Sequence, residues 1–257
     1  MISYMAALDS KVFNRMVTQP VVNPDLTSFK RSLLIDWLIK VEFHLNLQQV
    51  TLYATVSMID RVIRRVNVSC AAFQTLGIAA VLVASKVFER YAVTVSYLVS
   101  LTCGACEYKD VLEMELLILR NIDCWVTTAH PDFFLERFVS VALAEIPRPD
   151  NEVLTMARFY LDCTMPYEVW LSVPCSKLAA AATCMVGKVT QKFSWNETLC
   201  FYTGYSYADI AQLVDCMTIN VLYAKSSSRS VSLFTFLFVR RKNVISSRLG
   251  LQDSGYR

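Results

Sequence analysis

The sequence is poor in residues that break helices and in residues that perform acid–base chemistry. Among 257 residues there are six glycines, seven prolines and two histidines. So little glycine and proline disfavours a turn-rich all-β sandwich and excludes a collagen-like or disordered chain. Charged residues make up only 18% of the chain and hydrophobic residues 54%. This apolar excess must lie either in several fully buried helices or in a membrane.

The longest uncharged stretch lacks the composition of a membrane span. It lies between Arg65 and Lys86, and polar residues such as Asn67, Ser69 and Gln74 interrupt it. A membrane helix needs about 20 predominantly apolar residues in succession. No charged and then apolar signal peptide opens the chain. We therefore predict a helix enclosed by other helices, no membrane partner, and a protein that is not secreted.

The motifs of common enzymes are also missing. The sequence contains no Gly-x-x-x-x-Gly-Lys, Gly-x-Gly-x-x-Gly or Gly-x-Ser-x-Gly segment. Nine cysteines are scattered, and the one Cys-x-x-Cys, Cys103 to Cys106, has neither a second pair nor a histidine at ligand spacing. We predict no catalytic residue, no metal and no cofactor. A helical chain without such groups most often works by binding another protein.

Apolar residues at helical spacing predict two successive runs of five helices. A break ends at Pro131, a residue that suits the first turn of a helix. Asp25 or Thr27 is a candidate cap for the first helix, and Ser69 for the third. The predicted helices cover about 28–41, 50–63, 69–86, 94–104, 110–122, 131–144, 150–163, 172–190, 196–203 and 207–224. The predicted fold class is all-α, with two tandem bundles of five helices.

The last part of the chain differs in charge. Residues 225–257 carry seven basic residues and one acid, a net charge of +6, whereas residues 1–224 carry a net charge of −3. An apolar run at 231–239 (VSLFTFLFV) precedes Arg240, Arg241 and Lys242. Three interpretations stay open: a segment that packs on the body or is partly disordered, a nuclear-import or polyanion-binding patch, and an interaction strand.

The first predicted helix resembles the opening helix of a known family. Residues 30–41 (KRSLLIDWLIKV) are similar to the start of the cyclin box. Further matches follow in order and at cyclin spacing: 59–61, 76–77, 82–86, Glu89, 114–115, 118–119, Pro131 and 134–135. Segments 171–182, 194–199 and 203–205 resemble the second half of an A-type cyclin. The resemblance covers about residues 9–224.

This resemblance implies four parts of the chain. An N-terminal helix and lead-in take residues 1–27, a first cyclin box 28–128, a second box 129–224, and the basic tail 225–257. The chain opens close to the helix at 10–16, which is similar to the short cyclins that gammaherpesviruses encode, whereas cellular A-type cyclins carry a long region with a destruction motif. The Arg-x-x-Leu of Arg31 and Leu34 lies on the predicted core helix, where it is hidden from degradation.

The function implied by the resemblance is regulatory. The chain is expected to bind and allosterically activate a host cyclin-dependent kinase, to drive cell-cycle progression, and to act in the nucleus and cytoplasm of an infected cell. Lys86 and Glu115 match the family's kinase-contacting pair, although a plain surface salt bridge is the alternative. The implied kinase-binding residues are Val12, Phe13, Lys86, Val87, Glu89, Glu115, Leu119, Cys124 and Val126. The family's aromatic residue near Trp125 falls one position earlier, at Cys124.

Two further sites follow from the resemblance. Arg31 and Asp60 match a buried structural ion pair. A groove for Arg-x-Leu peptides is implied at Lys30, Leu33, Leu34, Trp37, Lys40, Phe73 and Gln74. Here Lys30 replaces the family's Met, Lys40 its Glu, and Cys103 a further acid, so we predict weakened binding of Arg-x-Leu substrates and inhibitors. The competing interpretation is a transcription-factor-like adaptor that binds polymerase or DNA, but that function needs a basic face and the body is negative.

Overall fold

The computed structural model describes residues 26–144 and 151–226. The predicted contacts of Val12 and Phe13, the helix at 10–16 and the tail from residue 227 onward lie outside the described residues. The chain divides into two compact units. Of the described residues, the first unit holds those up to His130 together with Pro166–Ser172, and the second holds those from Pro131 to Met165 and those from Val173 onward.

All regular structure among the described residues is helical, which confirms the all-α prediction of two tandem five-helix bundles. The first unit contains α1 (Ser28–Leu45), α2 (Gln49–Ile63), α3 (Phe73–Phe88), α4 (Val95–Ser100), α5 (Tyr108–Asn121) and a short 3-10 helix, Glu168–Ser172. The second contains α6 (Pro131–Ala142), α7 (Asn151–Thr164), α8 (Cys175–Thr190), α9 (Glu197–Thr203) and α10 (Tyr207–Ser226).

Polar side chains and left-handed residues fix several helix ends. The Thr27 hydroxyl accepts the amide of Lys30 at the start of α1, and the side chain of Asn196 accepts the amide of Leu199 at the start of α9. Gly204 ends α9 with a φ of 76°, a conformation that suits glycine. The predicted cap at Ser69 is wrong: its hydroxyl accepts the amide of Ala72 within a turn, and α3 begins only at Phe73.

The third helix of each unit is the central one. Helix α3 packs against α2 and α5, and its residues from Thr75 to Ser85 are all buried. Gly77 allows α1 to approach closely, because a Cβ atom there would lie 3.0 Å from Cδ1 of Leu34. Helix α8 packs against α6, α7 and α10 in the same way. In the part of the chain that is described, no helix is long and apolar enough to cross a bilayer.

One segment departs from the organisation predicted from sequence. Residues Pro166–Ser172 follow α7 along the chain and fall within the predicted second box, yet they belong to the first compact unit. A hydrogen bond from Nη1 of Arg31 to the Pro166 carbonyl, 3.2 Å long, and one from Ser28 to Glu168 hold them there. Both contacts join residues more than 130 positions apart, so local periodicity carries no signal for them.

Candidate functional site

A buried ion pair joins the first two helices of the first unit. Nε of Arg31 lies 2.6 Å from Oδ1 of Asp60, and Nη2 lies 2.8 Å from Oδ2. Burial by itself would lower the pKa of Arg31, but the charge and hydrogen bonds of Asp60 outweigh it and raise that pKa. The structure thus brings together the two residues that the resemblance paired. The pair connects α1 to α2 and so holds these two helices in contact within the first unit.

The second pair joins α3 to α5 at the surface. Nζ of Lys86 lies 2.6 Å from Oε1 of Glu115. The Lys86 side chain is 47% exposed and the Glu115 side chain 13%. Both charged groups are therefore oriented before any partner arrives. The salt bridge that was the alternative interpretation is therefore present. Because the Lys86 side chain is half exposed, its ammonium also stays accessible to a second acceptor.

Apolar side chains surround this pair and face solvent. Val87 is 49% exposed, Leu112 37% and Leu116 53%. On α5, positions 112, 115, 116 and 119 lie on one stripe because they are spaced by three and four residues. Exposed apolar side chains around a charged pair are typical of a surface that binds another protein. We define this α3–α5 face as Lys86, Val87, Leu112, Glu115, Leu116 and Leu119.

Leu112 and Leu116 were missed from sequence. Their residue type alone predicts burial, and the matched family positions did not include them. The signal that identifies them is their spacing from Glu115 and Leu119, which lie on the same stripe. The buried face of α5 is carried instead by Val111 and Ile118.

The other predicted kinase-contacting residues lie in different environments. Leu119 is half-buried and Cys124 is exposed in a left-handed turn, with a φ of 55°. Val126 is 8% exposed, so its side chain packs inside the unit. Oε1 of Glu89 accepts the Gln48 amide at 2.7 Å and the hydroxyl of a nearby threonine, Thr51. Glu89 therefore places a negative charge at the start of α2, where the helix dipole favours it.

The predicted groove lies along α1 and the start of α3. Leu33 is 50% exposed, Trp37 and Gln74 are half-buried, and Leu34 and Phe73 are buried beneath them. Nζ of Lys40 lies 2.8 Å from Oδ2 of Asp36, one helical turn away. Nζ of Lys30 lies 3.0 Å from Sγ of Cys70, which precedes α3. Both lysines are therefore held at the groove, but the carboxylate of Asp36 partly compensates the charge of Lys40.

The described residues contain no cluster that fits a metal site. No group of three or more histidine, cysteine, aspartate or glutamate side chains comes together there in a way that could hold a metal ion. Cys103 is exposed and Cys106 is buried, with its thiol 3.6 Å from the Thr102 hydroxyl. The candidate site is the α3–α5 face defined above.

The second unit has its own ion pair between its first two helices. Nε of Arg158 on α7 lies 2.6 Å from Oδ1 of Asp132 on α6, and Glu136 also contacts the guanidinium. Burial opposes the charge of Arg158, but the hydrogen bonds and charges of Asp132 and Glu136 raise its pKa. The first unit carries the arginine on its first helix, whereas the second carries the carboxylate there. This pair was not predicted from the sequence.

Two family matches cover most of the chain. Residues 1–127 match "Cyclin, N-terminal domain" and residues 129–235 match "Cyclin, C-terminal domain".

Similar sequences include three plant and animal cyclins. The chain is 36% identical over 197 residues to G2/mitotic-specific cyclin S13-7 of Glycine max, covering 75% of this chain and 72% of that protein. It is 33% identical to G2/mitotic-specific cyclin-2 of Antirrhinum majus, covering 81% and 45% of the two chains, and 32% identical to G2/mitotic-specific cyclin-B of Spisula solidissima, covering 80% and 47%. Against these last two curated relatives the chain spans about half their length. These relatives are mitotic cyclins, whereas the second half of the chain was predicted to resemble an A-type cyclin.

Similar solved structures include a viral cyclin from Herpesvirus saimiri, with a TM-score of 0.68 at 16% identity, covering 83% of this chain and 97% of that one. A chain in the yeast RNA polymerase II CTD kinase CTDK-1 complex has a TM-score of 0.63 at 12% identity and covers 98% and 91% of the two chains. At these identities the likeness concerns the fold.

Proposed function

This chain belongs to the cyclin family, and from that premise we propose that it binds a host cyclin-dependent kinase and activates it allosterically to drive cell-cycle progression. The observation that carries the proposal is the α3–α5 face. There an oriented Lys86–Glu115 pair, 2.6 Å apart, is surrounded by solvent-exposed apolar side chains. In this role the chain is a regulatory subunit and contributes no catalytic residue.

The chemistry of the face fits a partner that presents backbone groups. Lys86 offers a hydrogen-bond donor and Glu115 an acceptor, so together they can satisfy a carbonyl and an amide of one segment. Val87, Leu112 and Leu116 supply apolar area that becomes buried in the complex. Burial of the apolar residues would supply most of the affinity, and the hydrogen bonds of the pair would fix the register of the partner segment.

Activation follows from preferential binding to one state of the kinase. Phosphoryl transfer needs a lysine–glutamate pair in the kinase itself, and the position of the kinase's regulatory helix controls it. A rigid face that fits the active position binds that state better and shifts the population toward it. Moving a kinase from 1% to 99% active requires about 10⁴-fold preference, or about 5.5 kcal/mol.

Finer assignments form part of the proposal. We propose that the chain is a viral cyclin of the gammaherpesvirus kind, with a murine gammaherpesvirus as its source, and that it acts in the nucleus and cytoplasm of the infected cell. Its likeness to the Herpesvirus saimiri cyclin in fold supports a viral cyclin. We also propose boxes at 28–128 and 129–224, and contacts from Val12, Phe13, Glu89 and Cys124 to the kinase.

The test mixes the purified chain with a purified cyclin-dependent kinase and measures phosphorylation of histone. We expect a large gain over kinase alone. The singles K86E and E115K, and the charge swap K86E/E115K, separate the two interpretations of the pair. The swap keeps an internal salt bridge, which contributes about 0–1 kcal/mol to stability. However, it reverses the donor and acceptor that face the partner, so it should stay folded and still fail to activate.

The matched control is a charge swap of Lys192 and Glu152, an ion pair of the second unit whose charged atoms lie 3.8 Å apart. We expect this variant to activate as the unmodified chain does. The proposed function is wrong if no kinase gains activity. The role of the Lys86–Glu115 pair is wrong if K86E/E115K activates fully while circular dichroism shows both variants folded. A transcription-factor-like adaptor would give no gain of kinase activity at all.

A further inference from the structure

The second unit contains an open pocket that the proposed function does not use. It has a volume of about 640 Å³, within the range of ligand-binding sites. The C-terminal part of α8, the loop that follows it and the first residue of α10 form its walls. Its lining residues are Cys184, Gly187, Lys188, Gln191, Phe193, Ser194, Trp195 and Tyr207.

The pocket's charged group occupies the same place in its helix as Lys86 does in the first unit. Helices α3 and α8 each have 16 residues, and Lys86 and Lys188 are each the fourteenth. Their partners differ. Lys86 contacts a carboxylate, whereas Nζ of Lys188 lies 2.7 Å from the hydroxyl of Tyr207 and 4.9 Å from the centre of its ring. The direct hydrogen-bond partner of Lys188 is therefore a phenol, whereas that of Lys86 is a carboxylate.

The charges near Lys188 leave the pocket attractive to an anion. The hydrogen bond that Lys188 donates to the Tyr207 hydroxyl is the main cause that raises the pKa of Lys188, with smaller contributions from Cys184 and Asp215. Burial raises the pKa of the Cys184 thiol, which stays neutral at physiological pH. Asp215 acts on Lys188 only through its charge, with no hydrogen bond between them. At neutral pH the pocket therefore contains one full positive charge.

A second donor in the wall has no acceptor. Nε1 of Trp195 is shielded from solvent and makes no hydrogen bond to any described residue. A buried donor without a partner costs free energy, so a ligand that brings an acceptor to it would relieve that cost. The hydroxyl of Ser194 lies in the same wall. Lysine, indole and hydroxyl groups all donate, and a carboxylate accepts from up to four directions.

We propose that this pocket binds an acidic side chain, glutamate or aspartate, of a partner peptide, with Lys188 and Trp195 donating to its carboxylate. One cation with neutral donors matches a single negative charge. A phosphate group carries nearly two, and its recognition usually involves the bidentate fork of arginine, which the lining lacks. Phe193 and the indole ring of Trp195 supply apolar walls for the residues beside the acid. The inference does not depend on kinase binding.

The test is a titration of the full ¹⁵N-labelled chain with acetyl-Leu-Glu-Leu-amide, with acetyl-Leu-Gln-Leu-amide as the uncharged match. The chain has four tryptophans, so W195F identifies the indole N–H signal of Trp195. We expect that signal to move saturably with the glutamate peptide and hardly at all with the glutamine peptide. K188M should raise the Kd at least about tenfold, the usual loss for one charge-assisted hydrogen bond.

K192M is the matched control, because Lys192 contacts Glu152 and does not line the pocket. It should leave the Kd within about twofold, since it removes no pocket contact. The proposal is overturned if the glutamine peptide binds equally, if the Trp195 signal does not move, or if K188M binds normally. Tighter binding of inorganic phosphate would refute a carboxylate site. Acetate binding as tightly as the peptide would refute a peptide as the ligand.

Discussion

Removing one partner of the buried Arg31–Asp60 pair should destabilise the first unit far more than removing both. In D60L the guanidinium of Arg31 would lose two hydrogen bonds, 2.6 and 2.8 Å long, while its bond to the Pro166 carbonyl stays. Asp60 is completely buried and the Arg31 side chain is 4% exposed. Solvent therefore cannot replace the lost partner, and we expect D60L to lower the free energy of unfolding by about 3–5 kcal/mol.

The reverse single variant, R31M, strands the Asp60 carboxylate and should cost a similar amount. The double variant R31M/D60L leaves no charge at these two positions, and apolar side chains of similar volume fill the space. Such replacements are often neutral or stabilising. We therefore expect the double variant to be much more stable than the sum of the single losses predicts, apart from about 1 kcal/mol for the lost bond to Pro166.

The assay is urea unfolding followed by tryptophan fluorescence. Trp37, Trp125 and Trp170 report the unfolding of the first unit, and Trp195 reports that of the second. R158M is the control in the second unit, where the Arg158 side chain is 26% exposed and water can reach it. It should cost only about 1–2 kcal/mol, between the surface and buried limits. A loss below about 1 kcal/mol in D60L, or a double variant that loses the full sum, would refute the reasoning.

Three other variants and titrations probe the groove, a helix cap and a buried phenol. K30M/K40E should tighten binding of an Arg-x-Leu peptide roughly fivefold by calorimetry, mostly through Lys30 because Asp36 already compensates Lys40; unchanged affinity would contradict the repulsion. N196A removes the cap of α9 and should lower the free energy of unfolding by about 1 kcal/mol in thermal unfolding, unlike N196S. Burial raises the pKa of Tyr160 from 10.0 to about 12. The stability that the neutral Tyr160 phenol contributes is therefore complete below pH 10 and is lost as the pH rises through 12. An ultraviolet titration in which all tyrosines ionise near pH 10 would contradict this.

The helices were predictable because each has a strong local signal. The third helix of the first unit is apolar on every side, so its burial follows from composition alone. Its start was less predictable, because Ser69 accepts the amide three residues on, as a helix cap does, yet the helix begins only at Phe73. A cap and a preceding turn use the same hydrogen bond. The sequence pattern cannot separate them.

The parts of the site that sequence did not predict depend on distant contacts. Leu112 and Leu116 are leucines on an amphipathic helix, and only the packing of α5 decides that they face solvent. Glu89 was matched to the kinase, but its carboxylate oxygen reaches Gln48, 41 positions earlier. Asp132 lies between matched positions, Pro131 and 134–135, but its partner Arg158 lies outside every matched segment. In each case the partner is set by tertiary packing, which periodicity does not encode.

The two units show how one helical scaffold can produce two binding chemistries. In the first, Glu115 neutralises Lys86, so the face offers a paired donor and acceptor and favours a partner with both groups. In the second, Tyr207 orients Lys188 without cancelling its charge, so the pocket favours an anion. The helix position that presents the lysine is the same in both. Under these two proposals, specificity depends on the partner residue from the last helix of each bundle, and we expect that exchanging a carboxylate for a phenol there changes what the lysine selects.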